Sequence, residues 1–260
     1  MPRTTVPPTA TPGLFVTGTD TDVGKTAVAV SIARQLHGSG RRVGVYKPVA
    51  SGVIEGAPSD AVALWEAAGR PLDLATVCPQ AFRAAIAPTG AAALEGRSID
   101  ERGLRLGLDP WRTHGELVIV EGAGGLLSPL GPTTLNADLA AEFAIPLVVV
   151  DRARLGAIGR TLATVEAARA RGLLVAAVVL SHVGPPGRAA DDPVGDTRIA
   201  EDAAADLTVR LGDVAVAILG HRAAEVDPRI DWWHVATRAR ASGGTRVGGS
   251  DAGGQGDGAV

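Results

Sequence analysis

Short apolar runs alternate with stretches of helical character along most of the chain, and this limits the fold more than any other feature. Strands are expected over Leu14–Thr17, Val43–Tyr46, Leu117–Val120, Leu147–Val150, Val175–Leu180 and Val214–Leu219. Helices are expected over Lys25–His37, Asp60–Ala68, Ala137–Phe143 and Ile158–Arg171. Several of the strands are continuously apolar, as strands are when both faces of a sheet are covered. Strands and helices in alternation predict an α/β fold with a doubly wound, mostly parallel sheet. Ligands in such sheets bind beyond the carboxyl ends of the strands, so those ends are where chemistry is sought.

The 260 residues suit one such domain, placed at 13–238. Residues 1–12 are polar and proline-rich, and 239–260 are rich in glycine; both are expected to be disordered. A formal net charge of −3 gives no basis for nucleic acid or an acidic membrane as partner. The longest apolar runs, such as Leu173–Leu180, fall well short of the ~20 residues of a membrane helix. The N-terminus lacks an apolar signal core. One cysteine, Cys78, forms neither an internal disulfide nor a cysteine-rich zinc site. A cytoplasmic protein is expected.

Of 25 basic residues only two are lysine, Lys25 and Lys47. A lysine retained where arginine is used almost everywhere else marks a place where a compact point charge is needed rather than a planar fork. Lys25 closes the segment Gly18-Thr19-Asp20-Thr21-Asp22-Val23-Gly24-Lys25-Thr26, between the first strand and the first helix. Strand, glycine-bearing loop, Gly-Lys-Thr and helix make a phosphate-binding loop. Backbone N–H groups there face phosphate, the lysine reaches the β- and γ-phosphates, and the Thr26 hydroxyl suits Mg²⁺. The loop is a variant, because Thr19 stands where the first glycine is usual.

Lys47 stands at the end of the second strand, in Tyr46-Lys47-Pro48-Val49-Ala50-Ser51-Gly52. Asp60 opens a helix. Glu121 follows the third apolar strand and precedes Gly122-Ala123-Gly124-Gly125. An acid in that position next to a nucleotide site has the place of a metal ligand. Thr26, Asp60 and Glu121 together offer the hard oxygens that Mg²⁺ prefers.

The segments GTDTDVGKT, YKPVASG, PSDAVAL and VEGAGG, in this order and spacing, resemble those of dethiobiotin synthetases. The resemblance runs over roughly 13 to 220, through the Leu155-Gly156-Ala157-Ile158 turn and a Val183-Gly184-Pro185-Pro186-Gly187 loop. It implies a P-loop NTPase-like fold of the SIMIBI type. It also implies an ATP-dependent ligase that uses ATP and CO2 to close a cyclic urea on the small-molecule diamine 7,8-diaminononanoate. Lys25 and Lys47 would be catalytic. ATP would be met by Asp22, Val23, Gly24, Lys25, Thr26, Ala27, Asp60, Glu121, Gly122, Ala123 and Gly124, and by Ser181 and His182. Thr21 and Ser51 would face the substrate. Thr26, Asp60 and Glu121 would hold Mg²⁺. The family is a homodimer in which a helix N-terminus of the partner, here Gly156-Ala157-Ile158, receives the substrate carboxylate.

The chain departs from the family's pattern in places. Gly159-Arg160 follows the turn where Asn-His is common, and Ser181-His182 stands where an Asn reads adenine. Trp232-Trp233-His234 has no family counterpart, and the tryptophans are expected to pack on the body of the protein or at a dimer contact. Three other readings compete. A cobyrinate-type amide ligase would need a glutaminase cysteine downstream. A ParA/MinD-like switch would need a second lysine in the loop. A related ligase acting on another amine is the third.

Overall fold

The computed structural model describes residues 11–53, 56–183 and 195–242. Six strands make one sheet: β1 Gly13–Gly18, β2 Val43–Tyr46, β3 Leu117–Gly125, β4 Leu147–Arg152, β5 Val175–Ser181 and β6 Ala215–Leu219. Their order is β2-β3-β1-β4-β5-β6. All five pairings are parallel. The chain winds from β1 to β2 and β3 on one side, then returns past β1 to β4, β5 and β6. The reversal leaves the end of β1 at the switch point, where an open parallel sheet offers its crevice.

The larger helices are α1 Lys25–Gly38, α2 Ser59–Ala67, α7 Asn136–Phe143, α8 Ala157–Ala170, α9 Gly195–Leu211 and α10 Trp232–Ser242. Four short ones lie between β2 and β3: α3 Leu74–Val77, α4 Pro88–Leu94, α5 Glu101–Leu106 and α6 Asp109–His114. None of these four was expected from the sequence. Each is two turns or less, too short to show an amphipathic period. Asp73 and Asp100 cap two of them by accepting from Thr76 N–H at 2.7 Å and Gly103 N–H at 2.9 Å. α9 and α10 were also missed. α9 is rich in Asp and Ala, so its apolar stripe is thin.

The core lies on both faces of the sheet. Every residue of β1 and β2 is buried, as are Leu117 to Gly122 of β3. Trp111 of α6 is fully buried against Gly44 of β2, where a side chain on the glycine would meet the indole. The tryptophan pair of α10 packs on the body. Trp232 is buried and donates Nε1–H to Gln35 Oε1 at 3.1 Å, and Arg41 lies 4.0 Å over the ring of Trp233. Helix α10 reaches Ser242, past the boundary of 239 expected for the tail. The rest of the tail, residues 1–10 of the lead, and the glycine-proline segment 184–187 lie outside the described residues. Among the described residues no helix is long and apolar enough to cross a membrane.

Candidate active site

The phosphate loop leaves β1 at Gly18 and enters α1 through Gly24. Gly24 has φ +95°, a left-handed conformation that costs a side-chain residue energy. It is hemmed in as well, since a Cβ there would collide with Ser181 Oγ. This turn aims the first N–H groups of α1, which have no partner inside the helix, at the space above the loop. Lys25 folds back over that space and donates to the Asp20 carbonyl at 2.9 Å.

Lys47 and Glu121 meet beneath the same space. Lys47 is 4 % exposed and Glu121 1 %. Lys47 Nζ donates to Glu121 Oε1 at 2.8 Å and pairs with Asp60 Oδ2 at 3.2 Å. Thr26 Oγ1 donates to the same Glu121 oxygen at 2.7 Å. The second oxygen, Oε2, is buried without a hydrogen-bond partner. A buried anionic oxygen left unpaired is costly. A cation bound beside Thr26 and Asp60 would satisfy it. Among the described residues no three acidic, His or Cys side chains make a metal cage of their own. Mg²⁺ takes one or two carboxylates and completes its shell with phosphate and water.

The two lysines differ in charge balance. Burial draws the Lys25 ammonium below the ordinary lysine pKa, opposed by Glu121 and reinforced by Lys47. Burial acts on Lys47 in the same sense, but the Glu121 and Asp60 carboxylates outweigh it and hold that ammonium above its ordinary value. Burial pushes the Cys78 thiol up to about 11, away from the thiolate form, against the pull of the Lys47 charge.

A cavity of about 440 Å³ opens over the strand ends. It is lined by Thr21, Asp22, Gly24, Lys25, Thr26, Lys47, Ser51, Asp60, Glu121, Gly122, Ala123 and Gly124, together with Val49, Ala50, Arg152 and Val183. Six stretches of the sequence, at 21–26, 47–51, 60, 121–124, 152 and 183, therefore converge on one space. Other expected residues lie elsewhere. Val23 is buried, and Ala27 is exposed on α1. Ser181 is buried under Gly24, and the His182 N–H bonds Leu219 O at 2.9 Å. Neither of these two lines the cavity, nor does the Gly156-Ala157-Ile158 turn of the same chain.

The sequence reading missed Asn136 and Arg152. Asn136 is fully buried at the start of α7. Its amide donates to Ala123 O at 2.7 Å and Gly125 O at 2.8 Å and accepts from Ala123 N–H at 3.2 Å. It thereby clamps the glycine segment after Glu121. Arg152 donates Nε–H to Asp22 O at 3.0 Å at the rim of the cavity. The charged pair Asp151-Arg152 directly after the apolar run Leu147–Val150 is the same signal that marked Glu121.

The chain is similar to known proteins over most of its length. The family described as an AAA domain matches residues 12–220. The ATP-dependent dethiobiotin synthetase BioD of Anaeromyxobacter dehalogenans strain 2CP-1 is 46 % identical over 181 residues, covering 70 % of this chain and 79 % of that protein. The protein of the same name from strain 2CP-C is 41 % identical over 232 residues, covering 89 % and 95 %. The chain belongs to the dethiobiotin synthetase family. Among solved structures, the cell division protein FtsY of Thermotoga maritima has a TM-score of 0.48 at 14 % identity, covering 89 % of this chain and 70 % of that one. Such a likeness says nothing of chemistry. Ser181, expected to face the nucleotide, lies under the phosphate loop against Gly24 and does not line the cavity.

Proposed function

We propose that the chain is an ATP- and Mg²⁺-dependent ligase that closes a cyclic urea on 7,8-diaminononanoate, giving dethiobiotin in biotin biosynthesis. One amine adds CO2 as a carbamate and loses a proton. The γ-phosphoryl group passes to a carbamate oxygen, leaving ADP. The second amine attacks the carbonyl carbon of this mixed anhydride and expels phosphate. No enzyme nucleophile takes part, so the protein contributes position and charge.

The observation that carries this reading is the pair of lysines over one buried Glu121. Two point charges are placed to hold a phosphoryl group between donor and acceptor. Lys25 holds the β- and γ-phosphates, and Lys47 holds the carbamate side. Thr21 and Ser51 line the substrate space. Thr26, Asp60 and Glu121 would hold Mg²⁺, which would supply positive charge against the phosphates. A second cavity of about 410 Å³ adjoins the first and shares Thr21, Asp22 and Ser51. Its wall of Ile86, Ala87 and Pro88 is apolar and fits an alkyl chain. The substrate carboxylate lies at the α8 turn of a partner in a homodimer; that turn does not line the cavity of its own chain. Incubation with the diamine, bicarbonate and MgATP should yield dethiobiotin by mass detection. A protein that hydrolyses ATP without this product would point to the related-amine ligase instead.

Two outcomes follow from the site. Asp60→Asn and Glu121→Gln should each shift the Mg²⁺ titration of turnover to higher concentration by about tenfold or more, as lost ligands do. Unchanged titrations in both would remove them from the metal shell. The nucleotide base should be weakly discriminated. An Asn reads the adenine edge with two hydrogen bonds, whereas Ser181 has one hydroxyl and is buried under Gly24. CTP, GTP and UTP should therefore support kcat/KM within about tenfold of ATP, or ~1.4 kcal/mol. A preference for ATP above about a hundredfold would mean that other groups read the base.

A further inference from the structure

At the end of β4 lies a buried carboxylate that no step above uses. Asp151 is 0 % exposed. Its Oδ1 accepts from Thr19 Oγ1 at 2.6 Å and from the Arg152 N–H at 2.8 Å. Arg160 Nε–H, from the first turn of α8, is shared between its two oxygens at 3.2 and 3.1 Å. Burying a carboxylate costs several kcal/mol unless a cation and hydrogen bonds compensate it. Arg160 is that cation, and its Nη1 also donates to Leu155 O at 3.3 Å.

The grip falls on a particular residue. Thr19 is the position where a phosphate loop usually has its first glycine. A glycine there would give Asp151 no side chain to hold. Here the backbone N–H of Thr19 donates to Val150 O at 2.9 Å and its hydroxyl to Asp151. Three residues farther on, the Asp22 carbonyl, in a left-handed backbone at φ +52°, accepts from Arg152. The end of β4 thus holds the loop at both its start and its turn. Asp151 does not line the cavity and so acts through the loop.

We propose that Asp151 is a positioning residue for nucleotide binding, fixing the phosphate loop through the Thr19 hydroxyl while Arg160 keeps its buried charge balanced. The proposal rests on the nucleotide-binding part of the reading above. The test is MgADP affinity of the full chain by titration calorimetry, with thermal unfolding followed alongside. Asp151→Ala/Arg160→Met removes the carboxylate without leaving its cation stranded. It should weaken MgADP about tenfold, and Thr19→Val should do the same. Thr19→Ser restores the hydroxyl and should bind within about twofold of the parent. In the Asp151→Ala/Arg160→Met background, Thr19→Val should cost no more than a further twofold, since both act through one bond. A general loosening of the fold would not be rescued by serine and would multiply across the variants. Parent-like affinity in Asp151→Ala/Arg160→Met, or losses that multiply when Thr19→Val is added, overturns the proposal alone. A parent that binds no MgADP overturns the nucleotide reading and the proposal with it.

Discussion

Lys25→Ala is expected to lower kcat/KM with MgATP by on the order of 10²–10³-fold while leaving the protein folded. The size follows from the place of the ammonium. It is 8 % exposed, among the first N–H groups of α1 and away from bulk water. A cation there opposes phosphoryl charge in a medium that screens it weakly. The fold survives because the acceptor of Lys25 among the described residues, the Asp20 carbonyl, lies on a part-exposed loop and can take water instead. Thr26→Val probes the neighbouring link. It keeps the shape but removes the hydroxyl that donates to Glu121. A similar loss is expected, with a steeper Mg²⁺ requirement. Steady-state kinetics and a thermal melt on both variants check this. Either variant turning over within about threefold of the parent would mean that the phosphate sits elsewhere.

The sheet was legible because its signal is one-dimensional. A strand covered on both faces must be apolar at every position, and Leu147–Val150 and Leu117–Val120 show that without any partner in view. The ends of the strands were legible for a related reason. Lys47, Glu121 and the phosphate loop each interrupt an apolar run with a residue that would not be placed there for packing. What escaped depends on distance in space. α5 is six residues long and owes its place partly to contacts with α7, which the sequence does not reveal locally. Asn136 looks like an ordinary helix start until its amide is seen to hold Ala123 and Gly125. Ser181 was read from the position it shares with a base-reading residue. Its burial depends on a Gly24 more than 150 residues earlier in the chain. The scarcity of lysine was the exception, a global property that pointed to two local sites.

Lys47→Arg should lower kcat/KM by about a hundredfold, although it conserves charge. Lys47 is buried at the end of β2, where its backbone N–H donates to Val77 O at 2.8 Å and its ammonium sits between Glu121 at 2.8 Å and Asp60 at 3.2 Å. A single nitrogen reaches both carboxylates there and still points upward into the cavity. A guanidinium spreads its donors over a plane and adds volume. In a closely packed site such enlargement costs ~1–3 kcal/mol and shifts the backbone. The fork would satisfy Glu121 and Asp60 sideways, leaving no donor where the proposed carbamate oxygen would lie. A shift of about 1 Å is enough to cost about a hundredfold when position is the main catalytic contribution. Retained charge still matters for folding, since Lys47→Ala would strand the buried Glu121 without its nearest cation, a loss of ~3–5 kcal/mol. Comparing the two variants separates the roles: Lys47→Arg should keep most of the thermal stability and lose the rate, and Lys47→Ala should lose both. If Lys47→Arg turns over like the parent, a diffuse positive charge suffices at this position, and Lys47 does not hold the reacting group.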